Sequence, residues 1–265
     1  MRRRLMQLAM AGALFAVWSG TATANAQQLE LLKAGELSAA TEGTFPPFSM
    51  TDTGGKLDGL EIRIMGEVAK RLNLSYKPII LKWESMLIGL QADQYDLTST
   101  AMDITEERQK AVTFADGWLE SGGRLIVKRG SPIASPDAIK GKTVGVLVAS
   151  TWAKLAEGLG AKDVKQYKSE TDALQDLIVG NIDGVVTDAI AGAYAIETSK
   201  LPLTMVSQPL SSIQKGFAIK KGKPNLTRAI NKALADMVAD GTYEKLTKDL
   251  VGFSPAPKSP IRSQF

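Results

Sequence analysis

Short runs of β-branched and apolar residues alternate with amphipathic helical segments along almost the whole chain of 265 residues. The clearest helical segment spaces its apolar side chains three or four residues apart: Leu60, Ile64, Met65, Val68 and Leu72. Asn73 is a suitable left-handed stop for this helix, and the strand-like run 74–80 follows it. Alternation of this kind predicts an α/β fold, in which helices cover sheets.

A second α/β series begins beyond the middle of the chain. The extended apolar run 123–128 ends in a segment rich in Gly, Ser and Pro, residues 130–136. After it, Ser169 is expected to cap one helix and Pro224 to open another. The chain is therefore expected to divide into two lobes, while the Pro-rich tail after Gly252 is expected to be loosely ordered.

The N-terminus has the pattern of a cleavable secretory signal. Three arginines at positions 2–4 precede an apolar run from Leu5 to Trp18, and small residues follow to Ala26. The apolar run is too short for a spanning helix, and we expect cleavage after Ala26. An amphipathic anchor is the alternative. Export to the periplasm follows from the first interpretation, since no later run is long enough to cross a membrane.

Composition excludes several kinds of chemistry. The chain has 32 Lys plus Arg against 28 Asp plus Glu, and removal of residues 1–26 leaves 29 basic residues, so no nucleic-acid partner is indicated. There is no Cys, which excludes disulfides, a lipidation site and a thiol nucleophile. There is no His either, so ordinary zinc sites and Ser-His-Asp catalysis are excluded. We expect no metal and no cofactor.

Arg108 is the residue least expected at its position. Thr105 fits as a helix cap, and a capping box would place Glu or Gln three residues later, where Arg108 stands. A positive charge at a helix start opposes the helix dipole, so Arg108 is either a solvated surface charge or a receptor for an anion.

Other polar and aromatic residues also follow predicted strands, where open α/β sheets collect their ligands. They lie on both sides of the proposed boundary: Glu42 and Phe45, Thr100 to Arg108, Ser150 and Thr151, and Asp188. A cleft between two lobes would bring these groups together.

Six motifs occur here in the order found in bacterial solute-binding proteins of family 3, the receptors for polar amino acids in ABC importers. They are 43–48 (GTFPPF), 55–59 (GKLDG), 103–108 (DITEER) with 114–116 (FAD), 141–145 (GKTVG), 183–188 (DGVVTD) and 240–243 (DGTY). From about Leu29 to Gly252 the chain resembles this family. The resemblance implies a two-lobed periplasmic-binding-protein fold of type II, with the ligand in the interlobe cleft.

The resemblance also implies an organisation and partners. Lobe 1 would comprise residues 27–121 and 214–265, lobe 2 residues 122–213, and the runs near 124–127 and 217–219 would cross between them. The lobes would close on the ligand by a hinge movement, and membrane permease subunits of the importer would recognise the closed form. We expect a monomer.

Roles for individual residues follow from the resemblance alone. Arg108 matches the family arginine that forks onto the ligand carboxylate, and Ser150 and Thr151 match its partners on the other lobe. Asp188 matches the acceptor of the ligand ammonium, with the Ala101 carbonyl as a second acceptor. Each has a purely structural alternative: Asp188 and Ser150 could act only as helix caps.

Phe45 and Trp83 match the aromatics that enclose the ligand side chain, unless they are ordinary core residues. Leu147 stands where some relatives have a polar residue that reads the ligand side chain, which argues against a tightly read amide. Trp152 replaces a smaller residue and would narrow the pocket. Thr100 is included in the predicted site because it stands at the end of a predicted strand.

Asp103 departs from the family pattern, which has Ser or Thr there. Asp103 would add a second acid beside Asp188, or would turn to bond Arg108. With Glu42, whose contact with the ligand is open, the site would carry up to three negative charges against Arg108. Because an excess of buried charge is costly, a cationic amino acid or related amine-bearing zwitterion is favoured as ligand.

Two other functions are compatible with this fold class. Periplasmic prephenate and arogenate dehydratases resemble members of this family, and Asp103 or Glu42 could serve them as a general acid. The sensor domain of a receptor kinase is disfavoured, because no transmembrane helix is found. The expected function is ligand binding and not catalysis.

Overall fold

A computed structural model describes residues 28–265, so the predicted signal peptide lies outside the described residues. The strands are β1 Glu36–Thr41, β2 Thr44–Phe45, β3 Ser49–Thr51, β4 Leu57–Asp58, β5 Ser75–Ile80, β6 Leu97–Asp103, β7 Val112–Phe114, β8 Leu119–Ser121, β9 Gly123–Lys128, β10 Thr143–Leu147, β11 Asp163–Tyr167, β12 Gly184–Asp188, β13 Leu203–Met205 and β14 Ile213–Lys220.

The α-helices are α1 Leu60–Arg71, α2 Met86–Gln91, α3 Glu106–Ala111, α4 Trp152–Gly158, α5 Glu170–Val179, α6 Ala189–Glu197, α7 Pro224–Ala239 and α8 Thr242–Val251, with short 3₁₀ turns at Trp83–Ser85 and Pro136–Ile139. None of the helices in the described part of the chain is long and apolar enough to cross a membrane.

The first lobe is built on a sheet of order β5-β1-β6-β14-β7, with β8 paired to β14. β1 runs parallel to β5 and β6, whereas β14 is antiparallel to its neighbours. The apolar face of α1 packs with α7 into the core over this sheet, and the predicted stop at Asn73 has the expected positive φ of 55°. A small sheet of β2, β3 and β4 lies beside it.

The second lobe is built on a sheet of order β11-β10-β12-β9-β13. β10, β11 and β12 are parallel, and β9 and β13 are antiparallel to the strands they pair with. The Ser169 hydroxyl caps α5 by accepting from the Asp172 N–H at 3.2 Å, and Gly180 ends it with φ 89°, as expected. The two-lobed α/β prediction is confirmed.

The chain passes between the sheets at the ends of β9 and β14 rather than along them. β9 pairs only with strands of the second sheet, and β14 with strands of the first. The passage at Gly122 is tight, because a Cβ atom there would lie 1.9 Å from the carbonyl oxygen of Ser211, in the returning segment just before β14. The prediction that the runs 124–127 and 217–219 cross between the lobes is therefore wrong: each run lies within one sheet, and the crossings precede these runs.

The C-terminal tail contradicts its prediction. The Gly117 N–H donates to the Ile261 carbonyl and the Glu120 N–H to the Pro255 carbonyl, both at 2.8 Å. Arg262 pairs with Asp116 at 2.6 Å. The Ile261 N–H also donates to the Gln214 side chain and the Ser263 N–H to Asp116, so donors and acceptors of the tail both hold it against the first lobe.

Candidate functional site

The predicted site residues lie in strands, in short helices and in the loops that follow strands of both lobes. The first lobe supplies Glu42, Phe45, Trp83, Thr100, Ala101, Asp103 and Arg108; the second supplies Leu147, Ser150, Thr151 and Asp188. The two sets meet directly. The Thr151 hydroxyl donates to Asp103 Oδ2, and Arg108 Nη2 donates to the Ala149 carbonyl at 3.5 Å. These contacts join Asp103 and Arg108 of the first lobe to the segment 149–151 of the second, and the grouping of the remaining residues around one cleft stays a prediction.

Lys215 on β14 lies between two of these acids, and the sequence reasoning did not identify it. Its Nζ is 2.5 Å from Asp103 Oδ1 and 3.0 Å from Asp188 Oδ2. All three side chains are buried, and only 1% of the Lys215 surface is exposed to solvent. A single cation thus joins an acid of the first lobe to an acid of the second.

The pKa values of this cluster follow from the ion pairs. Burial acts to raise the pKa of Asp103, but the Lys215 ammonium outweighs burial, and that pKa is lowered. Burial acts in the opposite sense on Lys215, whose pKa is nevertheless raised by Asp103 and Asp188. The cluster is therefore charged: a lysine cation and Asp103 as a carboxylate. The sequence predicted unpaired acids here, but Asp103 and Asp188 are both paired with Lys215.

Arg108 occupies the third position of α3, as predicted. The Thr105 hydroxyl caps the helix by accepting from the Arg108 N–H at 3.2 Å. Arg108 Nη1 donates to the Asp103 carbonyl oxygen at 3.1 Å, and the guanidinium lies 5.3 Å from the Trp83 ring centre. Burial lowers the pKa of Arg108. Asp103 does not turn its carboxylate to Arg108; the carboxylate faces Lys215.

The guanidinium keeps donors for a further anion. Between residues 28 and 265, no carboxylate oxygen lies within 4 Å of it. Its two hydrogen-bond acceptors are carbonyl oxygens, and Ala149, which supplies one of them, has a left-handed φ of 55°. A pocket of about 490 Å³ opens here, lined by Arg108, Ser150 and Thr151 among others.

Ser150 and Thr151 make other bonds than the family pattern implies. The Ser150 hydroxyl donates to the Leu147 carbonyl at 2.6 Å and accepts from the Trp152 N–H at 3.3 Å, which closes a turn just before α4. The N-cap position itself is Thr151, whose side chain makes no capping bond, so the predicted cap at Ser150 is corrected to this turn. The Thr151 hydroxyl is committed to Asp103. Their side-chain contact with a ligand carboxylate stays a prediction.

Glu42 is a buried acid that lacks a full set of hydrogen-bond partners and has no cation paired with it within the described chain. It is 3% exposed; its Oε1 accepts from the Thr44 hydroxyl at 3.3 Å, and its Oε2 has no hydrogen-bond partner within the described chain. Burial raises the pKa of Glu42 to about 7. A carboxylate with a free buried oxygen is a natural acceptor for an incoming ammonium group.

Two further buried glutamates stand close to this region, and their position in the first turns of helices concealed them in the sequence. Glu61 accepts from the Thr41 hydroxyl at 2.5 Å and from the Ala101 N–H at 2.9 Å. Glu170 accepts from the Thr187 hydroxyl. Burial raises the pKa of each to about 8, so both are largely protonated at neutral pH.

The aromatic residues of the predicted site have different neighbours. Phe45 is buried with its ring 4.9 Å from that of Phe48, while half-buried Trp83 faces Arg108. Trp152 is buried with its ring centre 5.2 Å from Lys215 Nζ, so it adds cation–π stabilisation to the lysine. Thr100 and Leu147 are also buried, and their predicted contact with a ligand is untested.

The two sheets, the passages between them and a polar cleft with an uncompensated guanidinium define a two-lobed ligand-binding protein. Within this class, the chain belongs to the bacterial extracellular solute-binding proteins, family 3, whose family model matches residues 37–252.

The most similar relatives compared are amino-acid-binding proteins. The L-cystine-binding protein TcyJ of Escherichia coli is 33% identical over 256 residues, which cover 94% of this chain and 96% of that protein. The histidine-binding periplasmic protein of Escherichia coli is 29% identical over 226 residues, 80% of this chain and 86% of that protein. These are binding proteins and not enzymes, in agreement with the prediction.

Solved structures with a similar fold are also amino-acid-binding proteins. An ancestral arginine-binding protein bound to glutamine superposes with a TM-score of 0.78 at 35% identity, over 83% of this chain and 99% of that one. The ancestral amino acid-binding protein AncCDT-1, a precursor of cyclohexadienyl dehydratase, gives a TM-score of 0.76 at 29% identity, over 82% and 95%. The dehydratase alternative finds support only in this ancestral relative, which is itself described as a binding protein.

Proposed function

We propose that this protein is the periplasmic receptor of an ABC importer for a polar amino acid or a related amine-bearing zwitterion. The observation that carries the proposal is the half-buried Arg108 guanidinium, which faces the second lobe without a protein carboxylate beside it. A guanidinium in that position is suited to a ligand carboxylate, because it keeps its charge and offers paired donors.

The other residues have the roles that the family pattern gives them. Arg108 binds the ligand carboxylate together with the loop at Ser150 and Thr151. Glu42 supplies an acid oxygen for the ammonium side of the ligand, and the Ala101 carbonyl is a further acceptor. Asp188, the acid that the family pattern assigns to this side, pairs with Lys215. Phe45 and Trp83 flank the ligand side chain, with Thr100, Asp103 and Leu147 completing the walls.

Binding is coupled to hinge closure. Lobe 1 comprises residues 27–121 and 214–265 and lobe 2 residues 122–213, a division supported by the membership of the two sheets. The ligand holds the closed form, and the permease subunits recognise it. The signal sequence 1–26 directs the protein to the periplasm, where it acts as a monomer.

The test is ligand binding by the wild-type protein and by Arg108→Ala. Isothermal titration with the protein amino acids and cystine should identify a ligand, and Arg108→Ala should weaken its binding about 100-fold, since loss of a charge-assisted bidentate contact costs about 2–5 kcal/mol. Arg228→Ala, which changes an exposed arginine on α7, is the matched control. Affinity of Arg108→Ala within threefold of wild type would refute the assigned role.

A further inference from the structure

Three of the four carboxylate oxygens of Asp103 and Asp188 accept hydrogen bonds within residues 28–265, and the fourth, Asp188 Oδ2, has only its ion pair with Lys215. Asp103 Oδ1 and Asp188 Oδ2 face Lys215 Nζ at 2.5 and 3.0 Å, and Asp103 Oδ2 accepts from the Thr151 hydroxyl. Asp188 Oδ1 accepts from the Ser121 hydroxyl and from the Ile190 N–H, both at 2.8 Å. Lys215 therefore lies where two acids would otherwise hold an ammonium group of the ligand.

The charges of this cluster nearly balance without a ligand. The two carboxylates face one lysine, and Asp188 also caps α6, where the N-terminal end of the helix carries roughly half a positive charge. The Trp152 ring further stabilises the lysine. A ligand with an extra positive charge would find no uncompensated carboxylate here.

One cation and one acid are left for the ligand. Arg108 has donors free for an anion, and Glu42 Oε2 is a buried acceptor without a partner. These two groups match one carboxylate and one ammonium group.

From this arrangement we infer that Lys215 determines specificity: its ion pairs with Asp103 and Asp188 select amino acids of zero net charge and disfavour arginine, lysine and ornithine. The inference rests on the proposed function and narrows its ligand class. It replaces the expectation of a cationic ligand, whose premise was an unpaired excess of acids.

The test is a set of variants that changes the net charge of the cluster in single steps. Lys215→Met removes one positive charge and keeps most of the side-chain length, Asp103→Asn removes one negative charge, and the double variant Asp103→Asn/Lys215→Met keeps the net charge of wild type. Lys220→Met is the matched control, because Lys220 lies on the same strand and pairs with Asp93 at 2.5 Å away from the cluster. Circular dichroism confirms folding of each variant.

Each protein is titrated with glutamine, cystine, arginine, lysine and glutamate by calorimetry. Wild type and Lys220→Met should bind glutamine or cystine at least tenfold more tightly than arginine. In Lys215→Met that ratio should fall at least tenfold, and in Asp103→Asn binding of glutamate should gain at least tenfold relative to arginine. The double variant should keep the wild-type order.

The outcomes separate the two proposals. If wild type binds arginine or lysine most tightly, or if the order is the same in all variants, the role of Lys215 is overturned while the receptor function stands. If none of the amino acids binds wild type, the proposed function fails and this inference fails with it. Should Lys215→Met not fold, Asp103→Asn and the double variant still decide, since their expected orders differ.

Discussion

At the scale of single residues, Lys215 shows how a buried cation can be accommodated. An ammonium group that loses its water costs several kcal/mol, and the cost is offset only when neighbouring groups satisfy its charge and its hydrogen bonds. Asp103 and Asp188 do this from opposite lobes. The sequence offered little sign of the arrangement, because Lys215 is 112 residues from Asp103 and lies in a strand otherwise rich in apolar residues.

Buried glutamates make the stability of the protein depend on pH. The pKa values of Glu42, Glu61 and Glu170 are raised from 4.5 to about 7, 8 and 8. Between pH 4.5 and 8 the native state therefore binds more protons than the unfolded state, so the free energy of unfolding decreases as pH rises through this window.

Glu42→Gln should reduce that pH dependence. The introduced glutamine cannot ionise. The difference in unfolding free energy between pH 5.5 and pH 8.5 should therefore be roughly 1–3 kcal/mol smaller than in wild type, given about 1.4 kcal/mol per pKa unit. Urea denaturation at both pH values measures it, with Glu106→Gln, an exposed helix residue, as control. An unchanged difference in Glu42→Gln would show that Glu42 titrates normally.

At the scale of secondary-structure elements, local chemistry was enough to predict much of the fold. The cap at Thr105, the cap at Ser169 with the stop at Gly180, and the strand 123–128 could be read because each depends on neighbours within a few residues. The tail could not, since its ordering depends on Gly117, Glu120 and Asp116 more than 100 residues away. The acids of the site were recognised individually, but not their pairing with Lys215.

The short helix α3 provides a test of how an element positions a ligand-binding residue. Thr105→Ala removes the bond from the Arg108 N–H to the Thr105 hydroxyl, at an expected cost of about 1 kcal/mol in stability. Because that bond also fixes the turn that carries Arg108, ligand affinity should fall several-fold. Thr105→Ser keeps the hydroxyl and should behave as wild type in thermal melts and titrations. Equal affinity in Thr105→Ala and Thr105→Ser would contradict the positioning role.

At the scale of the whole molecule, the lobes are connected by the two chain passages and by contacts across the cleft. Among these contacts, the Thr151 hydroxyl donates to Asp103, and two ion pairs link Lys215 to Asp188 and, at 3.0 Å, Lys154 to Glu107. In the proposed hinge closure the alignment of the two passages governs the movement, and the passages are in close contact at Gly122.

Gly122→Ala should disturb closure while leaving both lobes folded. The added Cβ would lie 1.9 Å from the Ser211 carbonyl oxygen, well inside contact distance, so the passages must move apart. We expect at least a tenfold loss of ligand affinity and a smaller ligand-induced decrease in the radius of gyration, measured by calorimetry and small-angle X-ray scattering. Gly158→Ala is the control, because nothing lies within 4 Å of a Cβ there. If Gly122→Ala binds and compacts like Gly158→Ala, the alignment of the passages does not govern closure.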